Sequence, residues 1–190
     1  MTQYIFALNG VHTAGKSTFG EMIDERTDLE YHSEIAQMLI DEHDEDWGEE
    51  GDHAFQEKIH QYETHRDREI FQHDDDVAIE TWHTGNLAHS IENAGDDLVE
   101  AQREYLEQVT EQDDTEVYAL FFDIPLETIW DRSPHFEEGN EEIIAFYDQV
   151  RQNHFDLYDE FDIDYEVIDS TGTPPQTYEQ AQPYIESVRE

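Results

Sequence analysis

The feature that most constrains the fold of this chain is a glycine- and lysine-containing motif close to its start. Residues 10–18 read GVHTAGKST, which fits the pattern G-x-x-x-x-G-K-[ST]. Glycines at these two positions let the backbone curl until its N–H groups point at phosphate oxygens, and the lysine places a charge on the outer phosphates. The motif therefore predicts a loop that binds ATP through Gly10, Val11, His12, Thr13, Ala14, Gly15, Lys16, Ser17 and Thr18, with Mg²⁺ on the Ser17 hydroxyl.

The sequence around the motif supplies the context that it requires. Residues 4–8 read YIFAL, a continuous apolar run typical of a buried strand, and Phe19, Met22 and Ile23 follow at helical spacing. A strand, a loop and a helix in this order favour a phosphate site over the alternative, a glycine-rich turn without a ligand. The start of the helix would add its positive dipole end to the loop.

The rest of the chain alternates strand and helix patterns. Short strand-like segments at 29–33, 77–79, 116–122 and 165–168 predict four more strands, and helical periodicity separates them. This order predicts an α/β fold, a three-layer P-loop fold with a five-stranded parallel sheet flanked by helices. We expect one domain over residues 1–190, with a lid at about 132–142 and an acidic loop at 41–52.

The charge of the chain is extreme. It has 50 Asp and Glu against 9 Lys and Arg, a formal net charge of −41, yet 36% of its residues are hydrophobic, so disorder is not predicted. In molar salt the Debye length falls to about 3 Å, and the composition is typical of a protein from an extreme halophile. A nucleic-acid mimic or a metal buffer is the alternative, although the acids are spread along the chain rather than massed in one tail.

Several partners are not expected. There is no basic stripe to neutralise the phosphates of a nucleic acid. There is also no cysteine, no apolar stretch of 18 residues and no recognisable leader. We therefore predict a cytoplasmic protein that binds neither nucleic acid nor membrane and that could form a homodimer.

Two glutamates follow predicted strands. In parallel sheets ligands gather at the carboxyl ends of the strands. Glu80 comes directly after the strand at 77–79, and we expect it to hold Mg²⁺ together with Ser17. Glu34 follows the second strand, where it could accept a hydroxyl proton or hold a sugar hydroxyl; a helix-start glutamate favoured by the dipole is the alternative.

Candidate cations and acceptor-binding residues come from the middle and the second half of the chain. Arg132 and Arg151 flank the expected lid and could meet the charge that develops in phosphoryl transfer, with structural ion pairs as the alternative. Arg103 is a further candidate on the acceptor side. Trp82 could stack on a base, with core packing as the alternative, and the amide of Gln56 could read a base edge.

Taken in order, these motifs resemble the P-loop kinases of the thymidylate kinase and deoxynucleoside kinase group, and also the ribosylnicotinamide-kinase-like ATPases. The resemblance is carried by the loop at 10–18 and then by SEIA at 33–36, FQ at 55–56, IETW at 79–82, NLA at 86–88, FDIPLE at 122–127 and VIDS at 167–170. It implies a strand order of 2-3-1-4-5 and transfer of the ATP γ-phosphate to a nucleoside monophosphate or a nucleoside. It also implies that Glu34 contacts the acceptor or acts as base, that Gln56 reads the base, and that Arg132 begins the lid.

One departure from the family pattern concerns the acceptor. The family usually has an arginine after the acidic residue of strand three, where it grips the acceptor phosphate or the reacting oxygen; here Thr81 follows Glu80. Either Arg66, Arg103 or Arg151 replaces that arginine, or the acceptor differs from the usual one. An ATP-binding regulatory P-loop NTPase without a small-molecule acceptor is the alternative function.

Overall fold

The computed structural model describes residues 2–43, 53–133 and 140–189. Its strands form one parallel sheet in the order β2-β3-β1-β4-β5, which confirms the expected topology. The strands are β1 (Gln3–Gly10), β2 (Glu30–His32), β3 (Val77–Glu80), β4 (Thr115–Asp123) and β5 (Asp164–Asp169).

Helices connect and cover the strands. They are α1 (Lys16–Arg26), α2 (Ile35–His43), α3 (His53–Ile70), α4 (His83–Asn93), α5 (Asp96–Thr110), α6 (Thr128–Arg132), α7 (Glu141–Glu160) and α8 (Pro174–Arg189). Of the expected acidic loop at 41–52, the first three residues instead continue α2, and residues 44–52 lie outside the described residues. The helix persists because its apolar face, Ile35 and Leu39, packs against Phe55 and Ile59 of α3.

The expected lid at 132–142 is described only at its two ends. Arg132 is the last residue of α6, and Glu141 is the first residue of α7. The Asn140 side chain caps α7 by accepting hydrogen bonds from the backbone N–H groups of Glu142 and Ile143. Residues 134–139 lie outside the described residues.

The central strand β1 explains why the sheet is buried on both faces. Phe6 and Leu8 point into a core shared with α1 and α8, whereas Ile5 and Ala7 point into a second core shared with α4, α5 and α7. All four are fully buried, as the continuous apolar run predicts for a strand covered on both sides. β1 therefore delivers the loop that follows it to a rigid edge of the sheet.

A buried ionic cluster joins α3 to α4. His83 Nε2 lies 2.7 Å from Asp67 Oδ2, and His83 Nδ1 lies 3.3 Å from Glu63 Oε2. Arg66 Nη2 lies 3.5 Å from Glu63 Oε1. Burial alone would lower the pKa of His83, but the two carboxylates overcome it and raise the pKa to about 9. The cluster therefore holds a protonated imidazole and fixes α3 against α4.

This cluster predicts how the free energy of unfolding of the protein depends on pH. The pKa of His83 is raised from 6.5 to about 9, so its stabilisation is complete below the unfolded-state pKa and is lost as pH rises through about 9. The loss should reach about 3 kcal/mol of unfolding free energy. Two of the rings beside His83 can titrate, and burial shifts the pKa of both away from this range: it lowers the pKa of His60 and raises the pKa of Tyr105.

Urea unfolding between pH 6.5 and 9.5 at constant KCl measures this loss. His83→Gln should remove most of the slope, whereas His65→Gln, at an exposed histidine of α3, should keep it. Equal slopes for the wild type and His83→Gln would contradict the assignment of the protonated imidazole.

Candidate active site

The loop between β1 and α1 has the curled backbone that its motif predicts. Gly10 and Gly15 have φ angles of 143° and 90°, and a Cβ on Gly10 would lie 2.5 Å from the Phe122 carbonyl oxygen. The Lys16 ammonium lies inside the curl and donates to the Gly10 and Val11 carbonyls, each at 3.3 Å. Because no side chain caps α1 at Gly15, its first N–H groups face the loop. The loop is thus built to surround an anion.

Glu80, at the carboxyl end of β3, lies directly beside the loop. Its carboxylate accepts hydrogen bonds from the Ser17 hydroxyl at 2.8 Å and from the Tyr31 hydroxyl at 2.5 Å. Burial raises the pKa of Glu80; the charge on Lys16 opposes that rise and the charge on Glu34 adds to it. Ser17 and Glu80, the two residues expected to hold Mg²⁺, are therefore in direct contact.

The residues at this point fit a magnesium ion. Ser17 and Glu80 offer hard oxygen donors within hydrogen-bond distance of each other, directly beside the loop. Mg²⁺ is usually bound through one or two carboxylates together with substrate phosphates and water. Within the ranges 2–43, 53–133 and 140–189, there is no group of three or more His, Asp or Glu side chains that could hold a metal ion.

Tyr31 is a site residue that the sequence reasoning missed. It comes from β2, and its ring packs so closely on α1 that a Cβ on Gly20 would lie 2.1 Å from the ring. Glycine inside a helix costs about 1 kcal/mol relative to alanine, so its presence at position 20 indicates that another side chain packs closely against α1 there. The Tyr31 hydroxyl holds Glu80 in place, which makes Tyr31 a positioning residue.

Two cavities meet beside Lys16. The first, the loop cavity, runs along the phosphate loop past Glu80 and Arg132. The second, the helix cavity, lies between α2, α3, α4 and α7 and contains Gln56 and Thr81. Three side chains line both cavities: His12, Lys16 and Glu34. A group bound in one cavity would therefore face a group bound in the other.

Arg132 lies over the phosphate loop. Its Nη1 donates to the Thr13 carbonyl at 3.3 Å, and its Nη2 donates to the Ser170 carbonyl at 3.2 Å. The Ser170 hydroxyl in turn donates to the Ala14 carbonyl. A further cavity beside this junction is lined by Gly15, Thr18, Phe19, Arg132, Ser170, Gly172, Pro174 and Thr177. Arg132 thus links the loop to the segment after β5.

The polar face of α4 contributes residues to the helix cavity that the sequence reasoning did not single out for the site. Asn86, His89 and Asn93 follow one another at helical spacing and all line it. His89 Nδ1 lies 2.9 Å from the Gly85 carbonyl oxygen, which can only accept, so Nδ1 carries the proton. Burial lowers the pKa of His89, and in the resulting neutral ring Nε2 is a hydrogen-bond acceptor.

The other expected acceptor residues lie on α2 and α3. Glu34, just before α2, and Gln56, on α3, both line the helix cavity. Gln56 is buried, and its Oε1 accepts a hydrogen bond from the Ser90 hydroxyl of α4 at 3.4 Å. Thr81 lines the same cavity with a φ of 45°, a strained conformation for a β-branched residue.

Three expected site residues lie elsewhere. Trp82 is fully buried in the core between the sheet and helices α4, α5 and α7, so its ring lines neither cavity. Arg103 of α5 pairs with Glu160 at the end of α7, and neither residue lines a cavity of the site. Arg151 donates to the Asp123 carboxylate at 2.5 Å and to the Ile124 carbonyl at 2.7 Å, also outside both cavities. These three expectations are corrected: each residue has a structural partner that sequence spacing does not reveal.

Comparison with solved structures gives the class of fold. The chain aligns with NadR in complex with NR (TM-score 0.69, 13% identity, 97% of this chain and 51% of that one). It also aligns with deoxyadenosine kinase from M. mycoides with bound dATP (0.63, 13%, 96% and 98%) and with thymidylate kinase from Candida albicans (0.63, 13%, 99% and 93%). No protein-family model and no curated protein matches the sequence. The chain therefore has the fold of the P-loop kinases.

No helix in the part of the chain that the structure describes is long and apolar enough to cross a bilayer.

The contact between Gly20 and Tyr31 predicts that Gly20→Ala lowers stability when the Tyr31 ring is present and raises it when the ring is removed. Gly20→Ala in the wild type should destabilise the protein by about 1–3 kcal/mol, because the new methyl group displaces the Tyr31 ring. In a Tyr31→Ala background the same change should stabilise by up to about 1 kcal/mol, since alanine favours the helix.

Urea denaturation of the four proteins in this double-mutant cycle measures both effects. A stabilising Gly20→Ala change in the wild-type background would show that the ring does not need the space of the glycine.

Proposed function

We propose that the protein is an ATP- and Mg²⁺-dependent kinase that transfers the γ-phosphate to a nucleoside monophosphate or a nucleoside. The observation that carries the proposal is the meeting of the loop cavity and the helix cavity at Lys16 and Glu34. A phosphate donor on the loop would face an acceptor between the helices. The neighbours of similar fold support it, because deoxyadenosine kinase and thymidylate kinase are named for acceptors of these two kinds.

The donor side of the proposed reaction uses the loop and its cations. The Lys16 ammonium and the N–H groups at the start of α1 would bind the outer phosphates of ATP. Arg132, held over the loop by two carbonyls, would lie beside the same phosphates. Mg²⁺, held by Ser17 and Glu80, would neutralise the charge that develops on the phosphate oxygens.

The acceptor side uses the helix cavity. An oxygen of the acceptor attacks the γ-phosphorus, and a new O–P bond forms while the bond to the β–γ bridging oxygen breaks; ADP leaves with that electron pair. Glu34 lies where the cavities meet, and its carboxylate can take the proton of an attacking hydroxyl. Gln56 offers an amide from the opposite wall, on α3.

The cellular setting is a further part of the proposal. A net charge of −41 suits a cytoplasm with molar salt, in which surface charges are screened within about 3 Å. Assays in molar KCl therefore match the conditions that we propose for the protein. A homodimer remains a prediction.

Removal of the loop lysine tests the proposed chemistry. Lys16→Ala should lower phosphate transfer by at least about 100-fold, because a charge aimed at the transferring group is lost, while circular dichroism stays unchanged. Lys58→Ala is the matched control: it changes the only other lysine, which is exposed on α3, and should keep full activity.

The assay measures ADP formed from MgATP with a panel of nucleosides and nucleoside monophosphates. Retained transfer in Lys16→Ala would remove the loop from the mechanism. If ATP binds but no acceptor raises ADP formation above background, the kinase proposal is wrong and the regulatory NTPase alternative is favoured.

A further inference from the structure

We propose that the acceptor is a nucleoside that carries no phosphate of its own, rather than a nucleoside monophosphate. The inference rests on the proposed kinase function and narrows its acceptor. It comes from the positions of all nine Lys and Arg side chains, every one of which lies in the ranges that the structure describes.

An acceptor phosphate needs cations. A monophosphate carries close to two negative charges, and proteins bind such groups with paired Arg or Lys donors. In the helix cavity it would also face the Glu34 carboxylate and lie near Glu80. Like charges brought together at a binding site cost several kcal/mol. A site for a monophosphate should therefore present at least one cation besides the one that binds ATP.

The helix cavity presents no second Lys or Arg; the other basic side chain next to Lys16 on its wall is the His12 imidazole. Lys16 is the only Lys or Arg on its wall, and in the proposed reaction its ammonium, which lies at the Gly10 and Val11 carbonyls, would bind the phosphates of ATP. Two others, Lys58 and Arg68, are exposed on α3 and do not line the cavity.

The remaining six arginines do not line the helix cavity, and each has a partner outside it. Arg26 lies over the Tyr178 ring, Arg66 faces Glu63 and Asp67, Arg103 pairs with Glu160, Arg132 binds the Thr13 and Ser170 carbonyls, Arg151 binds Asp123 and Ile124, and Arg189 binds Asp28 and Asp76. All three candidates to replace an arginine at Thr81, namely Arg66, Arg103 and Arg151, are in this group.

The wall of the helix cavity suits an unphosphorylated nucleoside instead. Glu34 and the Nε2 atom of the neutral His89 ring are hydrogen-bond acceptors, which match hydroxyl and N–H donors. The amide of Gln56 can both donate and accept, as an edge of a base requires. The Phe55 and Tyr147 rings supply apolar wall. Polar groups that can orient a ligand, set among aromatic and aliphatic side chains, are a feature of small-molecule sites.

The reaction then has a simple balance. The nucleoside hydroxyl oxygen forms a bond to the γ-phosphorus as the bond to the β–γ bridging oxygen breaks. ADP leaves with the electron pair, and the hydroxyl proton passes to Glu34 and on to solvent. The products are a nucleoside monophosphate, ADP and a proton.

The test compares each nucleoside with its own 5′-monophosphate. Wild-type protein in molar KCl receives MgATP and adenosine, deoxyadenosine, thymidine, cytidine or the matching monophosphate, and mass spectrometry identifies the phosphorylated product. We expect kcat/KM for the best nucleoside to exceed that of its monophosphate by at least about 100-fold, as several kcal/mol of charge repulsion requires. A ratio below about 10 would overturn the inference while leaving the kinase function intact. A complete lack of product from every acceptor would instead overturn the kinase function.

A variant that adds the missing charge gives a second test. Thr81 directly follows Glu80 and lines the helix cavity, and its φ of 45° is less strained for an unbranched side chain. For each variant we compare kcat/KM for the monophosphate with kcat/KM for the nucleoside. This ratio should be at least about 10-fold higher in Thr81→Arg than in the uncharged control Thr81→Gln. Equal ratios in the folded variants would overturn the charge argument; if either variant fails to fold, the wild-type panel decides.

Discussion

The buried carboxylate of Glu80 is the interaction on which the rest of the site depends. A carboxylate at this depth is costly unless charges and hydrogen bonds compensate it, and here Ser17 and Tyr31 donate to its two oxygens while Lys16 lies nearby. Ser17 and Lys16 come from the start of α1 and Tyr31 comes from β2, so this one side chain of β3 brings two other segments to the same sheet edge. Gly20 completes the arrangement by leaving room for the Tyr31 ring.

A second constraint is the scarcity of cations in a chain with a net charge of −41. The loop cavity has both Lys16 and Arg132, whereas the helix cavity has Lys16 alone among Lys and Arg, and the rest of its wall includes Glu34, amides, imidazoles and aromatic rings. The two cavities therefore differ in chemistry as well as in position. Elsewhere arginines join distant elements, as Arg189 of α8 does with Asp76 before β3. In the proposed function the few positive charges bind phosphate at one place, and they stabilise the fold at others.

Much of the fold could be predicted from the sequence because its signals are local. The apolar run of β1, the glycines of the loop and the acids that follow strands each depend on a few neighbouring residues. The failures have the opposite origin. Trp82 and Arg151 are adjacent to site elements in sequence, but their positions are decided by a core and an ion pair formed by distant segments. The roles of Tyr31 and His89 depend on contacts across the sheet edge and around one helix turn, which composition and spacing do not specify.

The most direct test of the account is a crystal structure with Mg²⁺, a non-hydrolysable ATP analogue and a nucleoside. The account predicts that the triphosphate lies in the loop around Lys16 and that the nucleoside lies in the helix cavity. One of its hydroxyl oxygens should then be within about 3.5 Å of the γ-phosphorus, beside Glu34. A nucleoside bound outside the helix cavity, or held with every hydroxyl turned away from Glu34 and the γ-phosphorus, would contradict the central claim that the two cavities together form a phosphotransfer site.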